Sequence, residues 1–289
     1  MDSKLTIIAL ALLPLCSCVK DSRLHFVEPD HIGFSGLDPV ESTTVCSGRY
    51  LVGVIKSGRN LSDAMVMMKV DPDTLAAYNA ANGTAFKALD PGKYSVSTLE
   101  MPFKASDSRI TSELSWDPDE LITAVTDDNY VIPLTIMCSD PTMLVKSRKL
   151  LLVNIRPSSI GFVTTQSEYT ESKDRTAVSV QTVTASLSRP NPRDPVTVEC
   201  CIDESYVNVF QDATSFYYNY PPEGCITLVE DKATIAAGDK LASFKIAIDD
   251  SALAPIHGGH VVPVRLKSVS MKGLPMTTDV TYLVIKPNF

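Results

Sequence analysis

The segments VIKSGRNLSDAMVMMKVD, at residues 54–71, and SLSRPNPRDPVTVECCID, at residues 186–203, are two copies of one pattern. They have equal length, lie 132 residues apart and end on an aliphatic residue followed by Asp71 or Asp203. The offset of 132 continues through Gly92 and Gly224, and it falls to 130 where residues 131–134 match residues 261–264. An internal repeat of this length indicates two copies of one folding unit.

Each unit has the periodicity of β-strands. Leu114 and Trp116 alternate with polar residues, and Phe244, Ile246 and Ile248 repeat this pattern in the second unit. Period-two alternation is typical of strands with one buried face. About seven such strands in each unit of roughly 110–120 residues fit an immunoglobulin-like sandwich. The sequence therefore predicts an all-β protein of two tandem immunoglobulin-like β-sandwich domains.

Short helical turns interrupt the strands. Asp71 is followed by Pro72 and by a Leu75/Tyr78 face that ends before Gly83. Asp suits a helix N-cap and proline suits the first helical position. Because Asp203 and the Asp117-Pro118 pair repeat the start signal, we expect one or two short helical turns in each domain.

The repeat divides the chain into five parts. We assign residues 1–17 to a signal peptide, 18–40 to a lipidated tether, 41–158 to the first module, 159–176 to a polar junction and 177–289 to the second module.

The N-terminus is typical of an exported protein. An apolar run from Leu5 to Leu15 follows Lys4 and is shorter than the roughly 20 residues that span a bilayer. The next residues, Leu15-Cys16-Ser17-Cys18, are similar to a bacterial lipobox, which makes Cys18 the lipidated residue, with Cys16 as the alternative site. An uncleaved or ordinary secretory signal is the alternative to lipidation.

The composition of the chain disfavours some classes of function and of covalent structure. The chain has 289 residues, is 44% apolar and carries a net charge of −8, so nucleic-acid binding is disfavoured. Five cysteines remain after Cys18, and an odd number without regular spacing argues against a disulfide framework. The sequence leaves open whether Cys225 forms a disulfide bond with Cys200 or Cys201.

The sequence shows no catalytic pattern. Asp117 and Asp249 belong to the densest acidic clusters, but their repeated positions before helical turns favour capping over glycoside hydrolysis, which needs two facing carboxylates. His257-Gly258-Gly259-His260 is the only histidine pair and is better explained as a tight turn than as a metal site. We therefore predict no catalytic residue, no metal and no cofactor.

The first unit resembles a known family. The stretches DPDTLAAYNAANGTAFKALDPGKYSV, KASDSRITSELSWDPDEL and NYVIPLTIMCSD are similar to the N-terminal immunoglobulin-like module of Bacteroidales surface lipoproteins. The resemblance covers residues 50–157 and is fainter over 180–289, where FQDATS replaces the YN-x-x-NGT motif. It implies an outer-membrane lipoprotein that faces the cell exterior and is encoded with a glycan-acquisition system. Val19-Lys20-Asp21 is similar to the export signals of such lipoproteins.

One loop has the composition of a sugar-binding platform. FYYNYPPEG, at residues 216–224, holds four aromatic rings in a chain that is 7% aromatic. In the repeat, Tyr218 and Gly224 match Phe86 and Gly92, and are therefore expected to be architectural. The predicted ligand-binding residues are Phe216, Tyr217, Asn219, Tyr220 and Glu223. A self-packed loop, or burial between the two modules, is the alternative.

These observations predict a non-catalytic surface lipoprotein that binds a glycan or acts in adhesion. The expected partners are the membrane, through the lipid, a glycan and other outer-membrane proteins. A structural spacer that positions a partner protein and a fimbria-like adhesin that polymerises by strand exchange are the alternatives.

Overall fold

A computed structural model describes residues 29–59, 62–173, 176–190, 194–253 and 259–288. The proposed signal peptide and Cys18 lie outside the described residues. Within the described ranges, none of the helices has the length and apolar character needed to cross a membrane.

The first module is a sandwich of two sheets. One sheet has the order β1-β3-β8-β6, and the other has the order β2-β10-β9-β4-β7, with β5 paired to β9. Its elements are β1 (His31–Phe34), β2 (Val40–Thr44), β3 (Arg49–Ser57), β4 (Ala64–Val70), α1 (Asp73–Asn82), β5 (Lys87–Ala88), β6 (Ser95–Val96), β7 (Glu100–Phe103), β8 (Arg109–Ser115), α2 (Pro118–Ala124), β9 (Tyr130–Cys138) and β10 (Leu150–Arg156). Single 3-10 turns lie at Val45–Ser47, Pro91–Lys93, Pro141–Met143 and Lys146–Arg148.

The second module repeats this architecture. Its sheets have the orders β11-β13-β17-β15 and β12-β19-β18-β14-β16, which match the first module strand for strand apart from β5. Its elements are β11 (Ile160–Phe162), β12 (Gln166–Thr170), β13 (Val178–Leu187), β14 (Val196–Ile202), α3 (Tyr206–Thr214), β15 (Ile226–Leu228), β16 (Lys232–Ile235), β17 (Leu241–Asp249), α4 (Asp250–Leu253), β18 (His260–Val269) and β19 (Val280–Lys286). The predicted fold of two tandem immunoglobulin-like sandwiches with short helices is confirmed.

Hydrogen bonds at equivalent positions support the register of the repeat. The Asp71 amide donates to the Pro133 carbonyl at 2.9 Å, and the Asp203 amide donates to the Pro263 carbonyl at 3.1 Å. The first pair is offset from the second by 132 residues at the aspartate and by 130 at the proline, as the sequence alignment predicts. The two-residue shortening therefore lies between Asp203 and Pro263.

Two predicted boundaries differ from the structure. Residues 159–176 are not a junction alone, because β11 pairs with β13, and β12 pairs in parallel with β19. Residues 18–40 are likewise not only a tether, since His31–Phe34 pairs with β3. These strands have three to five residues, too few for alternation to be recognised, although β1 and β11 each bury an isoleucine and a phenylalanine.

Trp116 anchors the start of α2. Its indole Nε1 donates to the Val45 carbonyl at 2.8 Å, and its side chain is buried. The next residue, Asp117, accepts the Asp119 amide at 2.9 Å and so caps the helix. Trp116 follows β8 directly, so these two bonds fix the connection between β8 and α2.

The two modules contact each other through α2. The Asp119 carboxylate accepts the Lys272 amide at 3.0 Å, and Arg189 pairs with Asp128 at 3.0 Å. Gly273 lies against Ile122, so a Cβ at this glycine would come within 3.0 Å of the isoleucine methyl carbon. Residues from both modules belong to one connected buried cluster.

The five described cysteines are all free. The bond that the sequence leaves open between Cys225 and Cys200 or Cys201 is therefore not formed. Burial raises the pKa of Cys200 to about 12, and burial also raises the pKa of Cys225. Their thiols are packed as small apolar groups.

Candidate functional site

The aromatic loop, residues 216–224, connects α3 to β15. It leaves the helix at Ser215, which has φ 60° where the first module has Gly83 with φ 65°. A left-handed conformation is unfavourable for a residue with a Cβ. The Gln211 side-chain amide donates to the Tyr218 carbonyl at 2.6 Å and ties the loop back to α3.

Tyr218 attaches the loop to the second module. Its ring centroid lies 5.8 Å from that of Phe210, which in turn lies 4.8 Å from Tyr282. The Tyr218 ring also covers Gly259 so closely that any side chain there would clash with it. The matching pair in the first module, Tyr78 and Phe86, has centroids 6.3 Å apart. The aromatic contact that Tyr218 makes in the second module therefore has an equivalent in the first module.

Phe216 and Tyr217 extend from this support into solvent. Tyr217 is 91% exposed and Phe216 is 65% exposed. The Phe216 centroid lies 6.3 Å from that of Tyr218, so the partly buried tyrosine supports the exposed phenylalanine. The two rings leave large apolar faces open to a ligand, and self-packing does not bury them.

The other three predicted residues lie further along the loop. The backbone of Asn219 pairs with β18, because the Val261 amide donates to the Asn219 carbonyl at 3.0 Å. Tyr220 and Glu223 line a shallow depression of about 460 Å³ together with Glu204 and three other residues of the loop. Burial raises the pKa of the Tyr220 hydroxyl, with a smaller effect from the charge of Glu204.

The structure thus divides the predicted site into two parts. Phe216 and Tyr217 form an exposed aromatic pair that does not line the depression, whereas Tyr220 and Glu223 do. Asn219 connects the two parts, since its main chain is held by β18 while its side chain stays exposed.

The carboxylates of the acidic clusters form hydrogen bonds and ion pairs with neighbouring residues. Asp249 accepts hydrogen bonds from the Ser251 amide at 3.0 Å and the Ser251 hydroxyl at 2.6 Å, and these bonds lower its pKa. Asp127 accepts the Asn129 amide at 2.9 Å and pairs with Lys87. Among the residues that the structure describes, no group of three or more His, Cys, Asp or Glu side chains is placed to hold a metal ion.

His260 is buried at the start of β18. It is 1% exposed, and neither ring nitrogen has a hydrogen-bond partner within the described part of the chain. Burial lowers its pKa, although Glu171 and backbone groups oppose the shift. Its pair partner in the sequence, His257, lies outside the described residues.

A second concave surface was not predicted from the sequence. It is a groove in the first module between α1 and the neighbouring strands β4, β9 and β10, with a volume of about 500 Å³. We call it the α1 groove. The available signal was the repeat itself, which places the small Thr74 and Thr135 where the second module has Tyr206 and Arg265.

Comparison with known proteins places the chain in a family. The model of a family described as an N-terminal domain matches residues 39–142 and matches again over residues 155–273. The chain belongs to this N-terminal-domain family. It carries two copies of the family's domain, and the resemblance to N-terminal modules that the sequence indicates is confirmed.

Solved structures resemble the chain only weakly. CBD12 from CALX1.2 has 10% identity and a TM-score of 0.41, over 88% of this chain and 99% of that one. A putative carbohydrate-binding protein from Bacteroides ovatus has 15% identity and a TM-score of 0.37, over 88% of this chain and 63% of that one. EndoBT-3987 from Bacteroides thetaiotaomicron has 14% identity and a TM-score of 0.34, over 44% of this chain and 30% of that one. No curated protein matches the sequence.

Proposed function

We propose that this protein is a non-catalytic surface lipoprotein that binds a glycan through the aromatic loop of its second module. The exposure of Phe216 and Tyr217 beside a partly buried Tyr218 carries the proposal. Flat aromatic faces suit the apolar face of a pyranose ring, and rings with few rotatable bonds lose little entropy on binding.

Polar groups for sugar hydroxyls lie within the same loop. The side chains of Asn219 and Glu223 are exposed, and Glu204 lies beside Glu223 at the depression. A sugar stacked on the exposed rings would extend its hydroxyls toward amide and carboxylate groups, which accept and donate the hydrogen bonds that give specificity.

The family resemblance supports the same role. Modules of this kind are commonly encoded with glycan-acquisition systems, and the lipobox-like segment at Cys18 would hold the protein at the outer membrane, facing the cell exterior. In this arrangement the second module lies further from the anchor along the chain than the first, and the aromatic loop belongs to the second module.

A glycan array with the purified protein and a Phe216→Ala/Tyr217→Ala variant tests the proposal. We expect the binding signal of the variant to be at least about tenfold weaker than that of the wild type, because removing each aromatic contact costs roughly 1–3 kcal/mol. A Val178→Ala/Val180→Ala variant is the matched control, since both valines are exposed apolar residues of the second module but lie on β13. Equal binding by the two variants would contradict the proposal.

The spacer role is the second candidate. The contacts of Arg189 with Asp128 and of Lys272 with Asp119 join the modules, as a spacer of fixed length requires. Wild-type protein that binds no glycan on the array would favour this role.

A further inference from the structure

The α1 groove differs between the two modules although the backbone around it is the same. In the first module the Ile136 amide donates to the Lys149 carbonyl at 3.0 Å, and in the second the Leu266 amide donates to the Asp279 carbonyl at 2.7 Å. Because the repeat register is fixed on both sides of the groove, its residues can be compared one by one. The groove is lined by Lys69, Asp71, Thr74, Ala77, Tyr78, Ala81, Asn82, Thr135, Ile136, Met137, Lys149 and Leu150.

Two large side chains occupy the equivalent place in the second module. Tyr206 stands at the position of Thr74, and Arg265 stands at the position of Thr135. The Arg265 guanidinium lies 5.9 Å from the Tyr206 ring centroid and 2.9 Å from the Asp203 carboxylate. A filled groove is therefore compatible with the fold, and the opening in the first module comes from two threonines.

The floor of the open groove is apolar. Ala77 and Ala81 leave space along α1, and Tyr78, Met137 and Leu150 supply hydrocarbon surface. Met137 is 59% exposed, so its side chain is accessible to a ligand. A lining whose exposed area is mainly apolar suits a hydrocarbon chain better than a sugar, whose hydroxyls would lose their hydrogen bonds to water.

The charges at the groove leave one cation without a partner. Asp71 is neutralised by Lys69 at 3.4 Å and accepts the Thr135 hydroxyl at 3.2 Å. Lys149 is an exposed residue at the edge of the groove, and none of the described residues forms an ion pair with it. An anionic group at this edge would therefore be complementary to the site, whereas Asp71 disfavours a ligand with several negative charges.

We propose that the α1 groove binds a small amphipathic carboxylate. Its hydrocarbon chain lies along α1 on Tyr78, Met137 and Leu150, and its carboxylate pairs with Lys149. The volume of about 500 Å³ is within the range of small-molecule sites. This site is separate from the aromatic loop, and the proposal does not depend on glycan binding.

Titration of the purified protein with octanoate, followed by NMR, tests this proposal. We expect the amide signals of α1 and β9 to shift, and the affinity to rise about threefold to fourfold for each methylene from hexanoate to decanoate. 1-Octanol has the same chain without the charge and should bind at least several-fold more weakly. The absence of shifts in α1 and β9 at millimolar octanoate would overturn the proposal, as would equal affinity for 1-octanol.

The second module provides a matched variant. Thr74→Tyr/Thr135→Arg copies the filled groove of the second module into the first, and should abolish octanoate binding while the melting temperature is kept. Lys149→Met retains a side chain of similar length without the charge, should reduce affinity for octanoate about tenfold and should leave 1-octanol unaffected. If the Thr74→Tyr/Thr135→Arg variant does not fold, Lys149→Met and the series from hexanoate to decanoate still test the proposal. Unchanged octanoate binding in either folded variant would overturn the proposal.

Discussion

Three consecutive aromatic residues of the aromatic loop have different environments. Tyr218 contacts Phe210 and covers Gly259, whereas Phe216 and Tyr217 are mostly exposed. The repeat predicts this division, because Tyr218 alone has an aromatic counterpart, Phe86, in the first module. The side chain that holds the loop is thus distinct from the two that are free to contact a ligand.

His260 provides a residue-scale prediction about pH. Burial lowers its pKa in the folded protein, so the folded state holds it neutral while the unfolded state takes up a proton below its ordinary value of 6.5. Its contribution to stability is therefore complete above pH 6.5 and declines as the pH falls below that value. The expected slope is at most about 1.4 kcal/mol per pH unit.

Urea unfolding at pH 7.5 and pH 5.5 measures this effect. In a His260→Phe variant, which keeps a ring of similar size, we expect a smaller loss of unfolding free energy between the two pH values than in the wild type. Identical losses in both proteins would show that His260 is not the group that titrates.

At the scale of elements, aspartate caps begin α2 and α4, whereas the predicted cap at Asp71 is not formed, because its carboxylate accepts the Thr135 hydroxyl and no amide of α1. Asp117 accepts the Asp119 amide, and Asp249 accepts the Ser251 amide at the equivalent place in the second module. We expect Asp117→Ala to lower the free energy of unfolding by about 1 kcal/mol, because it leaves a helix amide without its acceptor.

Denaturant unfolding checks the cap prediction. Asp117→Ser should recover most of the loss, since serine also caps helices well. Glu120→Ala is a control on the same helix, because its ion pair with Lys93 is exposed and should contribute little. A loss no larger for Asp117→Ala than for Glu120→Ala would contradict the capping role.

Strands with a full alternation could be predicted from the sequence, and short edge strands could not. β8 and β17 show the predicted buried Leu114 and the buried Phe244, Ile246 and Ile248. β1, β11 and β12 lie in the predicted tether and junction, because three to five residues are too few to show a period, even where β1 and β11 each bury an isoleucine and a phenylalanine. Their place is set by pairing with distant strands, which periodicity does not report.

The candidate sites show the same limit. The composition of residues 216–224 pointed to the aromatic loop, but exposure separated Phe216 and Tyr217 from Tyr218. The α1 groove was not predicted, because a cavity arises where side chains are small. Thr74 and Thr135 indicate a groove only when they are compared with Tyr206 and Arg265, which hold the equivalent positions in the second module.

At the scale of the whole molecule, α2 of the first module meets the second module. The Asp119–Lys272 and Asp128–Arg189 contacts lie on one side of this helix and the turn after it. The aromatic loop belongs to the second module and the α1 groove to the first, so the chain would present two separate binding surfaces on one joined pair of sandwiches.

Lipid anchoring is the prediction that concerns the whole protein in the cell. We expect Cys18→Ala to move the protein from the outer-membrane fraction to the soluble fraction, because Cys18 is the predicted lipidated residue. Cys16→Ala is the matched control and should leave the protein in the membrane. Surface labelling of intact cells should detect the wild type, and a membrane-bound protein that is not labelled would contradict an outward orientation.

The most direct test of glycan binding observes the rings themselves. In the protein with ¹³C-labelled Phe and Tyr, addition of a glycan selected on the array should shift the ring signals of Phe216 and Tyr217, and leave those of Tyr78 in the first module unchanged. Shifts confined to other residues, or no ring shifts while the glycan is bound, would contradict the assignment of the aromatic loop as the glycan-binding site.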